Sequence, residues 1–256
     1  MFEQFILASS LPKIESRFNK IKMPDIMYSP SFNIRCGDET PVIVQGQNHR
    51  FQKIIFGLRK GDVSEHFIRA EGNKNKIDDP GYTGSKAIFL MPEHKKQIRF
   101  HRCLVPADAF IVRNSSGSYF LVFLQQKKRP FAFAGIYFNG TEGDHSFAII
   151  TVPANPLLAY LEQKRMPVIL HPKDETRWLK EDTSLSQVLQ ALVIYPAKLM
   201  NAYPIAPPPY DLNNVSLVKP IGDLLYQEQQ EFMLMKRKPK KAFSAAITFS
   251  DRRKPI

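Results

Sequence analysis

The stretch CLVPADAFIVRNSSGSYFLVFL, residues 103–124, decides the fold class. Three of its runs, 103–105, 109–113 and 119–124, are rich in the β-branched and aromatic residues that are typical of strands. The segment Asn114-Ser115-Ser116-Gly117 between the second and third runs has the composition of a hairpin turn. We therefore predict consecutive strands that pair in the antiparallel direction.

The same kind of pattern continues on both sides of this stretch. Further strands are predicted at 41–44, 51–58, 131–138 and 146–152. Short helices are predicted after the N-cap Ser10, at 92–98, after Asn155 with Pro156 at its first position, at 174–179 and at 186–192. A polar stretch at 59–85 is longer than most loops in compact domains. We predict one α+β domain over residues 1–235 and a flexible basic tail over 236–256.

Charge is the strongest compositional signal in this chain. The formal net charge is +12, and eight of the Lys and Arg residues lie in the tail together with one Asp. A basic body with a basic tail fits a polyanion such as nucleic acid, and a solvated surface accounts for the charge equally well. With no run of about 18 apolar residues and with Glu3 near the start, we expect a cytoplasmic monomer without a membrane partner.

Cysteine and histidine residues were considered as nucleophiles and as metal ligands. The two cysteines, Cys36 and Cys103, are too few for a disulfide framework, and the six histidines lack metal-ligand spacing. His101 and Cys103 would share one face of a strand, but the apolar run after Cys103 favours a buried structural thiol. We therefore predict no metal and no cofactor.

Four sequence blocks carry a family resemblance. They are Arg69-Ala70-Glu71, the run 102–110 (RCLVPADAF), the run 130–136 (PFAFAGI), and the stretch 151–170 that contains PAN and RMPVIL. In this order and spacing, from about residue 11 to about residue 220, the chain resembles the SRAP family of SOS-response-associated peptidase-like proteins.

The resemblance implies a barrel-like β core with flanking helices and a basic groove for single-stranded DNA. It also implies a reaction with abasic sites, in which a cysteine at position 2 captures the sugar aldehyde as a thiazolidine. An asparagine, a glutamate and a histidine assist in the family. The same groups are held to remove the family's own N-terminal residue or leader.

This chain departs from the family at all four reacting positions. The cysteine position is Phe2, the asparagine position is Phe67, the glutamate position is Val112, and the histidine position is Gln163. Phenylalanine and valine have no nucleophile or transferable proton, and glutamine has no useful pKa. The resemblance therefore predicts a member of the family that has lost the catalytic groups.

The family's phosphate-contacting positions are retained here. Arg69 and Arg165 occupy them, and the planar guanidinium matches two phosphate oxygens. The alternative is that Arg165 pairs with a structural carboxylate such as Glu71.

An aromatic position against which DNA bases stack in the family is also retained. It is Phe56, while a second family aromatic is missing and Arg59 and Lys60 follow instead. Stacking contributes roughly 1–3 kcal/mol per base, so the two cations would replace part of that contribution in a salt-dependent way.

Three functions remain open on these grounds. The first is a catalytically inactive protein that binds single-stranded or junction DNA. The second is an enzyme of altered chemistry that uses Cys36, Cys103 or the α-amine of Met1 to form a DNA cross-link or a lyase intermediate. The third is an interaction protein that does not bind DNA.

Overall fold

The structure, a computed structural model, describes residues 4–18, 28–46, 50–60, 63–72, 86–125, 130–140, 145–208 and 213–225, with the main chain only at 59–60 and 63–65. The strands are β1 Gln4–Leu7, β2 Ser31–Arg35, β3 Glu39–Val44, β4 Arg50–Phe56, β5 Leu58–Lys60, β6 Val63–Glu65, β7 Phe67–Arg69, β8 Arg102–Ala107, β9 Ala109–Arg113, β10 Tyr119–Leu124, β11 Phe131–Phe138, β12 Ser146–Pro153, β13 Arg165–Pro167 and β14 Met200–Ile205. The helices are α1 Leu11–Arg17, α2 Pro92–Lys95, α3 Gln97–Phe100, α4 Pro156–Tyr160, α5 Pro172–Leu179 and α6 Leu185–Gln190, with 3-10 turns at Ile88–Leu90, Ala197–Leu199 and Val215–Val218.

One sheet closes into a ring. Its strands follow the order β11, β8, β3, β4 and β12, and β12 pairs again with β11. Strand β12 also carries β13 and β7, and its pairings with β4 and β7 are the parallel ones. The expected α+β fold with a mostly antiparallel, barrel-like core is therefore confirmed.

A second, five-stranded antiparallel sheet lies beside the ring in the order β14, β10, β9, β1 and β2. Successive residues of a strand point to opposite faces. In β9, Phe110 and Val112 accordingly join the main core, whereas Ala109 and Ile111 join a smaller cluster on the other face. The apolar residues 109–112 are thus buried on both sides of the strand.

Asp108 joins the two sheets at the corner between β8 and β9. Its carboxylate accepts hydrogen bonds from the main-chain N–H groups of Ala8 and Ser9, both at 2.7 Å, and from the Ser9 hydroxyl at 2.6 Å. Its own N–H donates to the carbonyl of Ile6 at 2.7 Å. These bonds hold the start of the chain along β9, where Phe5 lies opposite Phe110.

The predicted helices are present, and two have side-chain caps. Asn155 accepts from the N–H of Leu158 at 2.9 Å at the start of α4. Ser184 and Gln187 form a capping box at the start of α6. Ser10 holds the N-cap position of α1 without a side-chain hydrogen bond to the helix.

Several parts of the chain differ from the sequence prediction or lie outside the structure, and the helix predicted at 92–98 is divided into α2 and α3. The predicted loop at 59–85 contains the hairpin of β5 and β6 and the strand β7, while 73–85 lies outside the described residues. Strands β1, β2, β13 and β14 are absent from the sequence prediction. In β1, four buried residues are too few to show a period. The predicted tail, 236–256, also lies outside the described residues. Among the residues that are described, we find no helix that is long and apolar enough to cross a membrane.

Candidate nucleic-acid interface

Arg165 lies in a buried ion pair at the start of β13. Its Nη2 is 2.6 Å from Oε2 of Glu71, and both side chains are almost fully buried, with relative exposures of 2% and 0%. The same Nη2 donates to the carbonyl of Thr151 at 2.6 Å, and Nε donates to the Thr151 hydroxyl at 2.9 Å. The alternative in which Arg165 pairs with Glu71 is therefore what the structure contains.

The register of β12 brings Arg69 to this ion pair. Thr151 lies opposite Arg69 on one edge of β12 and opposite Pro167 on the other. The Thr151 hydroxyl also donates to the carbonyl of Ile68 at 3.1 Å, so β7 is held to the same point. Arg69 is half-buried and lies closer to the surface than Arg165.

Lys86 is a second cation near the pair, and the sequence reasoning missed it. Burial lowers the pKa of this half-buried ammonium group; the charge of Glu71 acts in the opposite direction and that of Arg165 in the same direction. Ile88, two residues further on, donates its N–H to the carbonyl of Ala70, which brings this segment back to β7. Lys86 lies at the end of the long polar stretch, so neither spacing nor a motif pointed to it.

Phe67 and Phe56 belong to an aromatic cluster in the core. Their ring centroids are 5.9 Å apart, and Phe56 also stacks on Phe147 at 5.2 Å and meets the edge of Phe5 at 5.4 Å. Phe56 is fully buried. The residue predicted to stack on a base is therefore enclosed by other side chains and has no exposed ring face in this structure.

Val112 and Gln163 come together at the end of β9. Val112 is buried in the main core. Gln163 is also buried, and its Nε2 donates to the carbonyls of Arg113 at 2.8 Å and Leu161 at 2.9 Å. The neighbouring Glu162 accepts from the N–H and hydroxyl of Ser115 in the hairpin turn. The segment 162–163, where the sequence predicts the family's histidine position, therefore connects the end of α4 to this hairpin.

The other predicted residues are only partly placed. Phe2 lies outside the described residues, and the first described residue, Gln4, lies opposite Ile111 on β9. Arg59 and Lys60 are in β5, where only the main chain is described.

The two cysteines differ sharply in accessibility. Cys103 is fully buried against Gly135, and burial raises the pKa of its thiol far above the usual range. The expectation that it is a structural thiol agrees with this burial. Cys36 is exposed. Within the described part of the chain, no group of three or more His, Cys, Asp or Glu side chains could hold a metal ion.

The side chains at Phe67, Val112 and Gln163 carry no group that transfers a proton. Phe67 and Val112 carry no polar atom, and the amide nitrogen of Gln163 is used by two carbonyls. Glu71 has a carboxylate, but its Oε2 is bonded to Arg165 and the side chain is fully buried. The half-buried Arg69 and Lys86 add positive charge beside the Arg165–Glu71 pair.

The sequence is similar to a known protein family and to individual proteins within it. The family model described as SOS response associated peptidase (SRAP) matches residues 1–208. Abasic site processing protein YoqW of Bacillus subtilis is 29% identical over 220 residues, which cover 80% of this chain and 92% of YoqW. Abasic site processing protein YobE of the same organism is 28% identical over 220 residues and is covered to 94%.

Solved structures show the same fold at lower sequence identity. A protein from Bacteroides thetaiotaomicron superposes with a TM-score of 0.66 at 20% identity, covering 85% of this chain and 98% of that one. A phage-related protein from Bordetella bronchiseptica gives a TM-score of 0.60 at 18% identity, covering 79% of this chain and 93% of that one. These similarities concern the fold alone.

Proposed function

This chain belongs to the SOS response associated peptidase (SRAP) family, and on that premise we propose that it binds single-stranded DNA without forming a covalent bond to abasic sites. Its relatives YoqW and YobE are named abasic site processing proteins. The proposed activity keeps the DNA partner of such a family and removes the covalent step.

The observation that carries the proposal is the state of the family's reacting positions. Phe67 and Val112 are packed in the apolar core, and Gln163 is bonded to main-chain carbonyls of the hairpin and of its own turn. At the family's cysteine position the sequence has Phe2. A thiazolidine needs a thiol and an amine at one terminus, and a phenylalanine there supplies no thiol.

Cations near the Arg165–Glu71 pair support the DNA-binding part. Arg69 lies nearer to the surface than the buried pair of Arg165 and Glu71, with Lys86 beside that pair. The whole chain carries a net charge of +12, which favours association with a phosphate backbone. We assign phosphate contact to Arg69 and Lys86, and we assign to Arg165 the positioning of β13 against β12 and β7.

A cross-linking assay tests the proposal. The protein is incubated with a single-stranded oligonucleotide that contains one abasic site, with and without borohydride, and the products are separated under denaturing conditions. A family member with cysteine at position 2 serves as the positive control. Binding of the intact oligonucleotide is measured in parallel. We expect binding without a covalent adduct under either condition.

Each other result points to a different function. An adduct that appears only with borohydride indicates an imine with an amine of this chain and overturns the inactive assignment. An adduct without borohydride that is lost in Cys36→Ser assigns the reaction to the exposed thiol of Cys36. If the protein does not bind the oligonucleotide even at low salt, the DNA-binding part is rejected and a role in protein interaction remains.

A further inference from the structure

The surface formed by α2 and α3 differs from the rest of the described exterior in its combination of side chains. Lys95, Lys96, Arg99 and Phe100, which we call the α2–α3 surface, lie within six consecutive residues and are all exposed. Phe100 is 60% exposed. Single exposed apolar residues are ordinary on protein surfaces, so what requires an explanation is the aromatic ring together with three cations.

The three cations of this surface are not neutralised locally. Among the described residues, none of them forms a salt bridge. One carboxylate, Glu93, is in the first turn of α2. Burial raises the pKa of the nearby Tyr137, and the charge of a second carboxylate, Glu181, contributes to that rise. The segment from Pro92 to Phe100 therefore retains an excess of positive charge.

The main chain beneath these side chains is held firmly by a buried residue. Arg102 donates from Nη1 to the carbonyl of Ile98 at 3.0 Å and also to that of Arg99, and Gln45 donates to the Arg99 carbonyl at 3.4 Å. Ile98 is fully buried and anchors the inner side of α3. Phe100, two residues later, consequently projects outward from a fixed backbone.

A fixed exposed ring flanked by cations can bind both the bases and the phosphates of a single-stranded nucleic acid. Bases stack on aromatic rings irrespective of their sequence, and the phosphates beside them are neutralised by Lys and Arg. A ring that is already held in place loses little conformational entropy when a base stacks on it. An apolar protein partner would cover the Phe100 ring but would offer no negative charge to the three cations beside it.

This surface and the interface around Arg69 are supported by different strands of the ring. Helix α3 packs on β8 and β11. Arg69 is in β7, which pairs with one edge of β12, whereas β11 pairs with the other edge at Ile149. The 3-10 turn Ile88–Leu90 connects the two places, because Ile88 donates to the carbonyl of Ala70 beside β7 and the turn packs on α2 and α3.

We propose that the α2–α3 surface is a second binding surface for single-stranded nucleic acid, with phosphates on Lys95, Lys96 and Arg99 and one base stacked on Phe100. This inference rests on the proposed function, because it presupposes that the protein binds a single strand. It adds to that function a longer binding path than the cations near the ion pair could provide.

The test compares variants of the surface with matched variants elsewhere. The triple variant Lys95→Gln, Lys96→Gln and Arg99→Gln is compared with Lys173→Gln, Lys198→Gln and Lys219→Gln, which removes the same charge from other exposed positions. Phe100→Ala is compared with Tyr160→Ala, since Tyr160 is 72% exposed on α4. Thermal melting followed by circular dichroism checks that all four variants are folded.

Binding to a fluorescently labelled oligothymidylate of about 20 nucleotides, longer than one typical single-strand site, is measured by anisotropy at several salt concentrations. For the triple variant, we expect the slope of log affinity against log salt to become shallower by about 2, since each phosphate contact contributes about 0.7. For Phe100→Ala we expect roughly a tenfold loss of affinity. The Tyr160→Ala variant should match wild type, and the charge control should keep the wild-type slope.

The possible results separate this inference from the proposed function. If wild type binds, Arg69→Gln weakens binding, and the α2–α3 variants behave like their controls, then the second surface does not exist and the proposed function stands. If the α2–α3 variants weaken binding and Arg69→Gln does not, the second surface stands and the assignment to Arg69 fails. If wild type does not bind the oligonucleotide, both are rejected.

Discussion

Two buried arginines, Arg102 and Arg165, form their hydrogen bonds with different kinds of acceptor. Among the described residues, the Arg102 guanidinium hydrogen-bonds only to main-chain carbonyls. Its Nε is 2.6 Å from that of Trp178 and its Nη2 is 2.8 Å from that of Lys180, in addition to the carbonyls of α3. Arg165 is bonded to a carboxylate and to Thr151. Arg102 thus joins the C-terminal ends of α3 and α5, and Arg165 joins three strands.

The difference lies in how each charge is compensated. Carbonyls at helix ends carry only partial negative charge, so Arg102 is partly compensated, and burial lowers its pKa to about 10. Arg165 faces a full charge on Glu71. A buried arginine inside a family sequence block is therefore not by itself a DNA contact, since either kind of partner can occupy its donors.

The largest expected effect is that of Arg102→Met. This substitution leaves the carbonyls of four residues without a donor, and hydrogen bonds from charged groups contribute roughly 1.5–3 kcal/mol each. We expect the free energy of unfolding to fall by about 4–6 kcal/mol, measured by urea denaturation followed by circular dichroism. The control is Arg99→Met, whose side chain is exposed and whose expected effect is within about 0.5 kcal/mol. Similar losses in both variants would contradict a special role for Arg102.

The next largest effect concerns the ion pair. Arg165→Met leaves Glu71 buried and uncompensated, which lowers the free energy of unfolding by about 3–5 kcal/mol. The double variant Arg165→Met and Glu71→Leu removes the stranded charge, so most of that loss should be regained in the same denaturation assay. A double variant as unstable as the single one would show that Arg165 acts through its bonds to Thr151 instead.

A DNA-binding measurement sharpens the same comparison. We expect Arg69→Gln to reduce affinity for single-stranded DNA several-fold and the salt slope by about 0.7, whereas the double variant at Arg165 and Glu71 keeps wild-type affinity. Lys198→Gln is the matched control for the loss of one exposed cation. If the double variant loses affinity as well, Arg165 leaves its pair to contact phosphate, and the sequence-based assignment of that role is correct.

The smallest expected effect is a pH dependence at another arginine pair. Arg17 donates to both oxygens of Glu175 at 2.8 and 2.6 Å, yet burial raises the pKa of the Glu175 carboxyl against the lowering effect of Arg17. The folded pKa therefore exceeds the unfolded one, so the stabilising contribution is present below about pH 4.3 and is lost as pH rises through the folded pKa. In urea denaturation, the free energy of unfolding of wild type minus that of Glu175→Gln should fall as pH rises from about 4.3 through the folded pKa of Glu175. A rising difference would mean that Arg17 dominates.

Much of the fold could be predicted because the strands carry strong local patterns. The runs at 109–113, 119–124 and 131–138 are strands with those bounds. The strands β5, β6 and β7 were missed, because each has three residues and depends on its neighbours for hydrogen bonds. Short strands of this kind have no periodicity of their own.

The candidate site was predictable in its chemistry and less so in its contacts. The residues at the reacting positions could be read directly, since a missing thiol or imidazole is a property of the residue itself. The burial of Phe56 could not, because the aromatic position is kept while its ring faces are covered by Phe5, Phe67 and Phe147 from other strands. Lys86 was missed for the same reason, since its neighbours Glu71 and Arg165 are far away in the chain.

The sequence by itself determined the antiparallel core, the excess of positive charge and the absence of reactive groups at Phe67, Val112 and Gln163. These are properties of composition, of short-range periodicity and of residue identity. Only the tertiary structure decided that Arg165 is paired with Glu71, 94 residues away, and that Phe100 stands exposed above Arg102. Burial and pairing depend on which distant segments meet, and no local pattern in a single chain encodes that choice.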